Sequence, residues 1–277
     1  MFHRGLGMAN IARLSLNQKT TDQWGVREAV AGCTRAGIPA IGLWRDKVAE
    51  IGVEEAARVV RDAGLTISSL CRGGAFPAVT TAERAERLTD NRRAVDEAVA
   101  VGTDTLVLVC GQAGDKDIAA AREQVAEGIA ALAPYAAERG IRLAIEPLHP
   151  AFAGSRSVIV TLAEALDLAE RFDAATVGVA IDTYHVWWDP QVYEQIERAR
   201  GRIFAFHVND WLEPNLNTLV SRGVMGDGVI EIRRLREAVG AAGFTGVIEV
   251  EIFNETIWAS PGDDVLRRVV ERFQSEV

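Results

Sequence analysis

The chain has 277 residues, 48% hydrophobic and 25% charged, enough for one large core, and no low-complexity or Pro/Gly/Ser-rich stretch marks a linker. Its 30 basic and 39 acidic side chains leave a formal charge of −9 without a Lys/Arg cluster that could track a phosphate backbone, which argues against nucleic acid as a partner. No apolar run reaches the roughly 18 to 20 residues of a membrane span.

Residues 1–10 lack the apolar core of a secretory signal and read as a flexible N-terminal tail ahead of a single domain that fills the 1–277 chain. Beyond them, short β-branched or apolar runs alternate with longer amphipathic stretches, the pattern of parallel strands joined by helical crossovers. In chain order, strands are predicted at 13–18, 40–44, 66–71, 105–111, 142–147, 177–182, 203–209 and 247–253. The helices between them include 81–101, 117–139, 161–172 and 231–242, which carry Ala, Leu, Glu and Arg at helical spacing. Gly37, Gly64, Gly102, Gly140 and Gly243 each stand where a helix C-cap is expected, just before the next strand. Eight such units with short connections imply an α/β fold, a single (β/α)8 TIM barrel, in preference to a doubly wound open sheet. Cys33, Cys71 and Cys110 lack metal-finger spacing and read as reduced thiols of a cytoplasmic protein.

In a barrel of this kind the reacting groups sit where strands end and strand-to-helix loops begin. Strand five ends in Ala144-Ile145-Glu146, strand six in Ala180-Ile181-Asp182, strand seven in Ala205-Phe206-His207, and strand eight in Val250-Glu251-Ile252. Side chains alternate along a strand, so Ile145, Ile181, Phe206 and Ile252 would face the helices while Ala144, Ala180 and Ala205 share the inward parity of the ionisable groups. Small residues below and charged ones above leave room on the axis for an ion. Three carboxylates converging in a low-dielectric mouth repel one another, and a divalent cation relieves the repulsion. Oxygen-rich ligation with one imidazole points first to Mn2+, with Mg2+, Co2+ or Zn2+ as alternatives. A metal-free network of salt bridges to Arg72, Arg222 or Arg142 is the competing reading. Glu249 shares the inward face with Glu251 but lies roughly 6.6 Å lower, so Glu251, nearer the mouth, is the expected fourth ligand and Glu249 its alternative.

Over essentially its whole length the chain resembles the xylose isomerase-like TIM-barrel superfamily, which includes sugar and keto-inositol isomerases, ketose 3-epimerases and endonucleases. The resemblance rests on Leu143-Ala144-Ile145-Glu146-Pro147, Asp182-Thr183-Tyr184-His185, His207-Val208-Asn209-Asp210, Gly226-Asp227-Gly228-Val229-Ile230-Glu231 and Gly246-Val247-Ile248-Glu249-Val250-Glu251-Ile252-Phe253. It implies that Glu146, Asp182, His207 and Glu251 bind the metal, that His185 lies beside the substrate, and that the turn at 226–228 closes the loop before the seventh helix. The endonuclease branch assembles several zinc ions from a larger histidine set. Only His3, His149, His185 and His207 exist here, so one ion is expected.

For a bound keto-sugar, charge developing on the carbonyl oxygen would be stabilised and the neighbouring C–H acidified, with Glu146 and Glu251 as the acid/base pair for isomerisation or epimerisation through an enediolate. His185, three residues past Asp182, and His149, three past Glu146, are further catalytic candidates. Trp44, Trp187, Trp188, Trp211 and Trp258 follow strand ends; Trp44, Trp187 and Trp211 are candidate walls for a sugar or aromatic aglycone. Arg72 and Arg222 are candidate partners for substrate oxygens. No basic cluster marks an anion pocket in the sequence, which favours an unphosphorylated sugar or glycoside. A metal-dependent lyase or dehydratase, such as a subunit cleaving 3-keto C-glycosides with His149 or His185 as base, is the alternative enzyme, and a non-catalytic sugar-binding barrel the alternative class. A homo-oligomer or a partner subunit is compatible with either.

Overall fold

Along each strand one face is branched and apolar and the other small or polar, and a computed structural model, which describes residues 11–277, separates the two. The predicted tail and His3 lie outside the described residues. The strands are β1 (Leu14–Asn17), β2 (Ala40–Trp44), β3 (Thr66–Gly74), β4 (Thr105–Val109), β5 (Arg142–Ile145), β6 (Val177–Asp182), β7 (Ile203–Val208) and β8 (Ile248–Val250). Each pairs in parallel with its neighbours in sequence, and β8 closes on β1 through pairs such as Leu16 with Val250. The sheet is therefore a closed eight-stranded barrel and not an open one. Ile145, Ile181, Phe206 and Ile252 lie in the large core between strands and helices, whereas Ala144, Ala180 and Ala205 form a separate inner cluster with Cys71 and Val107. Fully burying one Val, Leu, Ile or Phe side chain stabilises by about 1.5–3 kcal/mol, so strand parity is fixed by the outer face.

Helix ends explain most boundary differences. Thr81–Val101 is opened by a capping box between Thr80 and Glu83 and closed by Gly102, whose φ of 92° is open to glycine. Asp117 and Thr161 are not the first helical residues but N-caps, accepting from the backbone N–H of Ala120 and Glu164 at the starts of Ile118–Ala137 and Leu162–Ala169. The strands β5 and β8 stop pairing at Ile145 and Val250, so Glu146 and Glu251 are the first loop residues beyond them.

A two-residue ribbon, Asp210–Trp211 against Arg222–Gly223, follows β7 and was not expected. Asp210 holds it: its carboxylate accepts from the backbone N–H groups of Trp211, Gly226, Gly228 and Ile230. At Gly228 an added Cβ would stand 2.1 Å from the Trp211 carbonyl oxygen, so the turn at 226–228 requires glycine for this close approach. The consequence is that Arg222, remote in sequence, is delivered over the C-terminal mouth. Arg142 pairs with Asp104 and lines a cavity of about 490 Å3 at the other end of the barrel, which removes it as a partner for Glu146, Asp182 and Glu251. The three cysteines are buried and free, and among the described residues no helix is long and apolar enough to cross a membrane.

Candidate metal centre

Glu146, Asp182, His207 and Glu251 come together: each is buried and offers one ligand atom, and these four atoms lie within 4.8 Å of one another. Asp182 and His207 are paired across β6 and β7, and the first residues past β5 and β8 complete the ring. Neighbouring polar groups aim the carboxylates. Asp182 Oδ1 accepts from the Tyr184 backbone N–H at 2.8 Å and from Asn209 Nδ2 at 2.9 Å. Arg222 Nη1 donates to Asp182 Oδ2 and Glu251 Oε2, both at 2.9 Å. The Trp44 indole N–H donates to Asn17 Oδ1 at 2.9 Å, which turns the Asn17 amide N–H groups toward Glu249 and Glu251.

Of the two inward glutamates, Glu251 joins the ring. Glu249 sits one layer down, accepting from Asn17 at 2.6 Å, Ser68 at 2.7 Å and Ser69 at 3.0 Å. Its carboxylate occupies space that Gly42 leaves empty, since a Cβ there would fall 2.0 Å from Glu249 Oε1.

Glu146 Oε1 and both ring nitrogens of His207 are buried without a hydrogen-bond partner. Glu146 Oε1 is 3.2 Å from His207 Nδ1, yet the two are not aligned as a hydrogen bond. Leaving such groups unsatisfied costs about 1–3 kcal/mol each, and a divalent ion would satisfy them. The donor set fits one: three carboxylate oxygens and an imidazole, with further positions for substrate oxygens. Electrostatics agree. Burial pushes Asp182 up to about 6 against the pull of Arg222. Burial would push the His207 imidazolium down, but Glu249, Glu146 and Glu251 outweigh it and hold His207 up at about 10. Arg222 alone does not neutralise the three carboxylates, so the salt-bridge network is compatible with a cation bound beside it.

The predicted site residues separate into two groups. Trp44, Arg72, His185 and Arg222 line the cleft above the ring, together with Phe152, Arg156 and Phe253. His185 Nδ1 accepts from the backbone N–H of His149 at 3.0 Å, while Nε2 lies 3.2 Å from Arg222 Nη2, a donor-only group, and 3.9 Å from Asp182 Oδ2. Burial, reinforced by Arg222 and Arg156, pushes His185 well below the ordinary histidine value, keeping it neutral. His149, Trp187 and Trp211 belong to an aromatic stack instead, with His149 4.9 Å and Trp187 5.7 Å from Trp211 between ring centres. Trp188 packs on His149, and Trp258 hydrogen-bonds the Lys19 carbonyl oxygen.

One expectation is corrected. A basic cluster does line this cleft, because Arg72 near the end of β3, Arg156 in the loop after β5 and Arg222 in the ribbon after β7 meet only in the fold. Arg156 lies in the loop between His149 and Ile159, away from any strand end, and carried no sequence signal. Asn17 and Asn209, at inward strand-end positions beside the ligands, were within reach of the strand-parity argument and were missed.

A family model described as a xylose isomerase-like TIM barrel matches residues 30–276. A crystal structure of a protein from Sinorhizobium meliloti 1021 is 49% identical, covers 96% of this chain and 99% of that one, and superposes with a TM-score of 0.94. The IOLI protein, solved with a zinc atom, shares the fold at a TM-score of 0.83 and 17% identity, covering 96% and 99%. A 3-dehydroshikimate dehydratase of Pseudomonas aeruginosa is 30% identical over 64% of this chain, and an inosose isomerase of Bacillus velezensis 22% identical over 56%. The matches span 28% of the dehydratase and 55% of the isomerase.

Proposed function

Because the chain belongs to the xylose isomerase-like TIM-barrel family, we propose that it is a divalent-metal-dependent isomerase or epimerase of an unphosphorylated ketose, keto-inositol or related keto-sugar. The observation that carries this reading is the ring of Glu146, Asp182, His207 and Glu251 with its buried, unpartnered donor atoms. Similarity to inosose isomerase supports the reaction class. A bound divalent ion, Mn2+ in first place, would stabilise negative charge developing on substrate oxygens. Glu146 removes the proton beside the carbonyl, and Glu251, three strands further round the barrel, returns it on the other face or at the next carbon. Neutral His185 lines the cleft beside the substrate, and Arg222 opposes protonation of Asp182 and Glu251. Trp44 and Phe253, edge to face at 5.7 Å, wall the sugar's C–H surface.

Elemental analysis of the purified protein, followed by incubation of the metal-loaded protein with ketoses and keto-inositols in D2O, tests this. One ion per chain and deuterium beside the carbonyl of recovered substrate are expected; a metal-loaded protein that exchanges none of them overturns the reading. The similarity to a dehydratase favours a second outcome for the same proton abstraction, loss of an adjacent leaving group. An unsaturated product in place of an isomer identifies it.

A further inference from the structure

The cleft above the metal ring holds more positive charge than the ring consumes. Arg222 is committed to Asp182 and Glu251. Neighbouring rim cations are committed as well: Lys19 pairs with Asp22 and Asp46, and Arg45 with Asp90 and Glu97. Among the described residues, Arg72 and Arg156 have no carboxylate and no hydrogen-bond acceptor for their guanidinium groups, yet both line the same cleft as Glu146 and Glu251. Arg156 is only half exposed, with its guanidinium 6.0 Å from the Phe152 ring centre, and it lies close enough to Arg72 and Arg222 to feel their charge. Two guanidiniums held near each other with no carboxylate in contact repel, and withdrawing one from water adds to the cost. A neutral sugar oxygen can accept from either guanidinium but does not relieve the repulsion between them.

The geometry points to a carboxylate on the substrate, seated between Arg72 and Arg156 while the keto group meets the ring. Guanidinium N–H groups match a carboxylate in bidentate fashion. A monoanion suits this position better than a phosphoryl dianion, because Glu146 and Glu251 are near enough to act on Arg156 and would repel a dianion about twice as strongly. The substrate class is thus a keto acid of sugar or cyclitol size, a narrowing that rests on the keto-sugar reading above.

D-Gluconate and D-glucitol differ only in carrying a carboxylate or a CH2OH, and titration calorimetry of the metal-loaded protein compares them. Gluconate is expected to bind at least about tenfold tighter, the lower bound for hydrogen bonds to a charged group. The preference should vanish in the Arg72→Gln/Arg156→Gln double variant. Arg72 is exposed, so Arg72→Gln alone is compatible with folding and loses part of the preference; Arg156→Lys, keeping charge without the fork, retains part. Equal affinities, no binding of either, or a preference that survives the double variant overturn the proposal, the last because the carboxylate would then sit on the ion. D-Glucitol 6-phosphate binding tighter than gluconate through the same arginines overturns the carboxylate assignment. Deuterium exchange into neutral ketoses without a gluconate preference removes this inference and leaves the isomerase; a gluconate preference with no exchange into any ketose or keto acid does the reverse.

Discussion

His207 has no protein partner on either ring nitrogen, although it is fully buried and surrounded by Glu146, Glu249 and Glu251. Glu249 and Glu251 share a strand face, and their partners decide which one serves the ion. Glu249 is saturated by Asn17, Ser68 and Ser69, whereas Glu251 shares Arg222 with Asp182 at the level of the other ligands. Replacing Glu251 with Gln is therefore expected to leave the purified protein without stoichiometric metal. Glu249→Gln should retain one ion per chain, with affinity lowered about tenfold, the lower end for groups behind a ligand. Plasma mass spectrometry of the two dialysed variants against the parent separates them, and equal loss from both would make Glu249 a ligand. At this scale strand parity made three ligands legible. The fourth rests on height along the strand alone, because two glutamates two residues apart satisfy the same parity, and the depth at which Ser68, Ser69 and Gly42 receive Glu249 distinguishes the pair.

The element that places Arg222 is the ribbon after β7, and Asp210 is its anchor. Four backbone N–H groups converge on that carboxylate, at 2.9 to 3.0 Å, from Trp211, Gly226, Gly228 and Ile230. Asp210→Ala strips all four of an acceptor. Buried or part-buried donors left unpaired make a loss of about 3 kcal/mol the expected scale. Asp210→Asn keeps one acceptor oxygen and should fall between. Urea unfolding gives the stability change, while metal content and deuterium exchange of the folded fraction test whether Arg222 has moved from Asp182 and Glu251. The barrel strands and the long helices were readable because period and caps are local: 40–44 and 177–182 were placed to the residue. The ribbon was not. Its two strands are two residues each, too short for a period, and its hydrogen bonds come from a side chain 16 to 20 residues away.

Across the whole molecule, a chain of net charge −9 concentrates three buried carboxylates at one end of its axis, opposed there by Arg222 and by His207. An ion held by the ring would complete that balance and couple its binding to folding. An ion present at a hundred times its dissociation constant stabilises the native state by about 2.7 kcal/mol. For a domain of this length that corresponds to a rise in Tm of roughly 5–10 °C. Differential scanning calorimetry with Mn2+ and with a chelator should show that gap in the parent. The gap should close in His207→Ala, where the ring loses its nitrogen ligand, even though the substitution also removes a buried cation that opposed the carboxylates. A barrel stabilised mainly by its outer core would unfold at one temperature in both solutions, and the parent's ring would then be a salt-bridge network with Arg222 and His207 as its counter-ions. The unpaired Arg72 and Arg156 bear on the same balance from the solvent side. An anionic ligand seated on them should raise Tm further in the metal-loaded parent, since it removes their repulsion where the ion cannot reach.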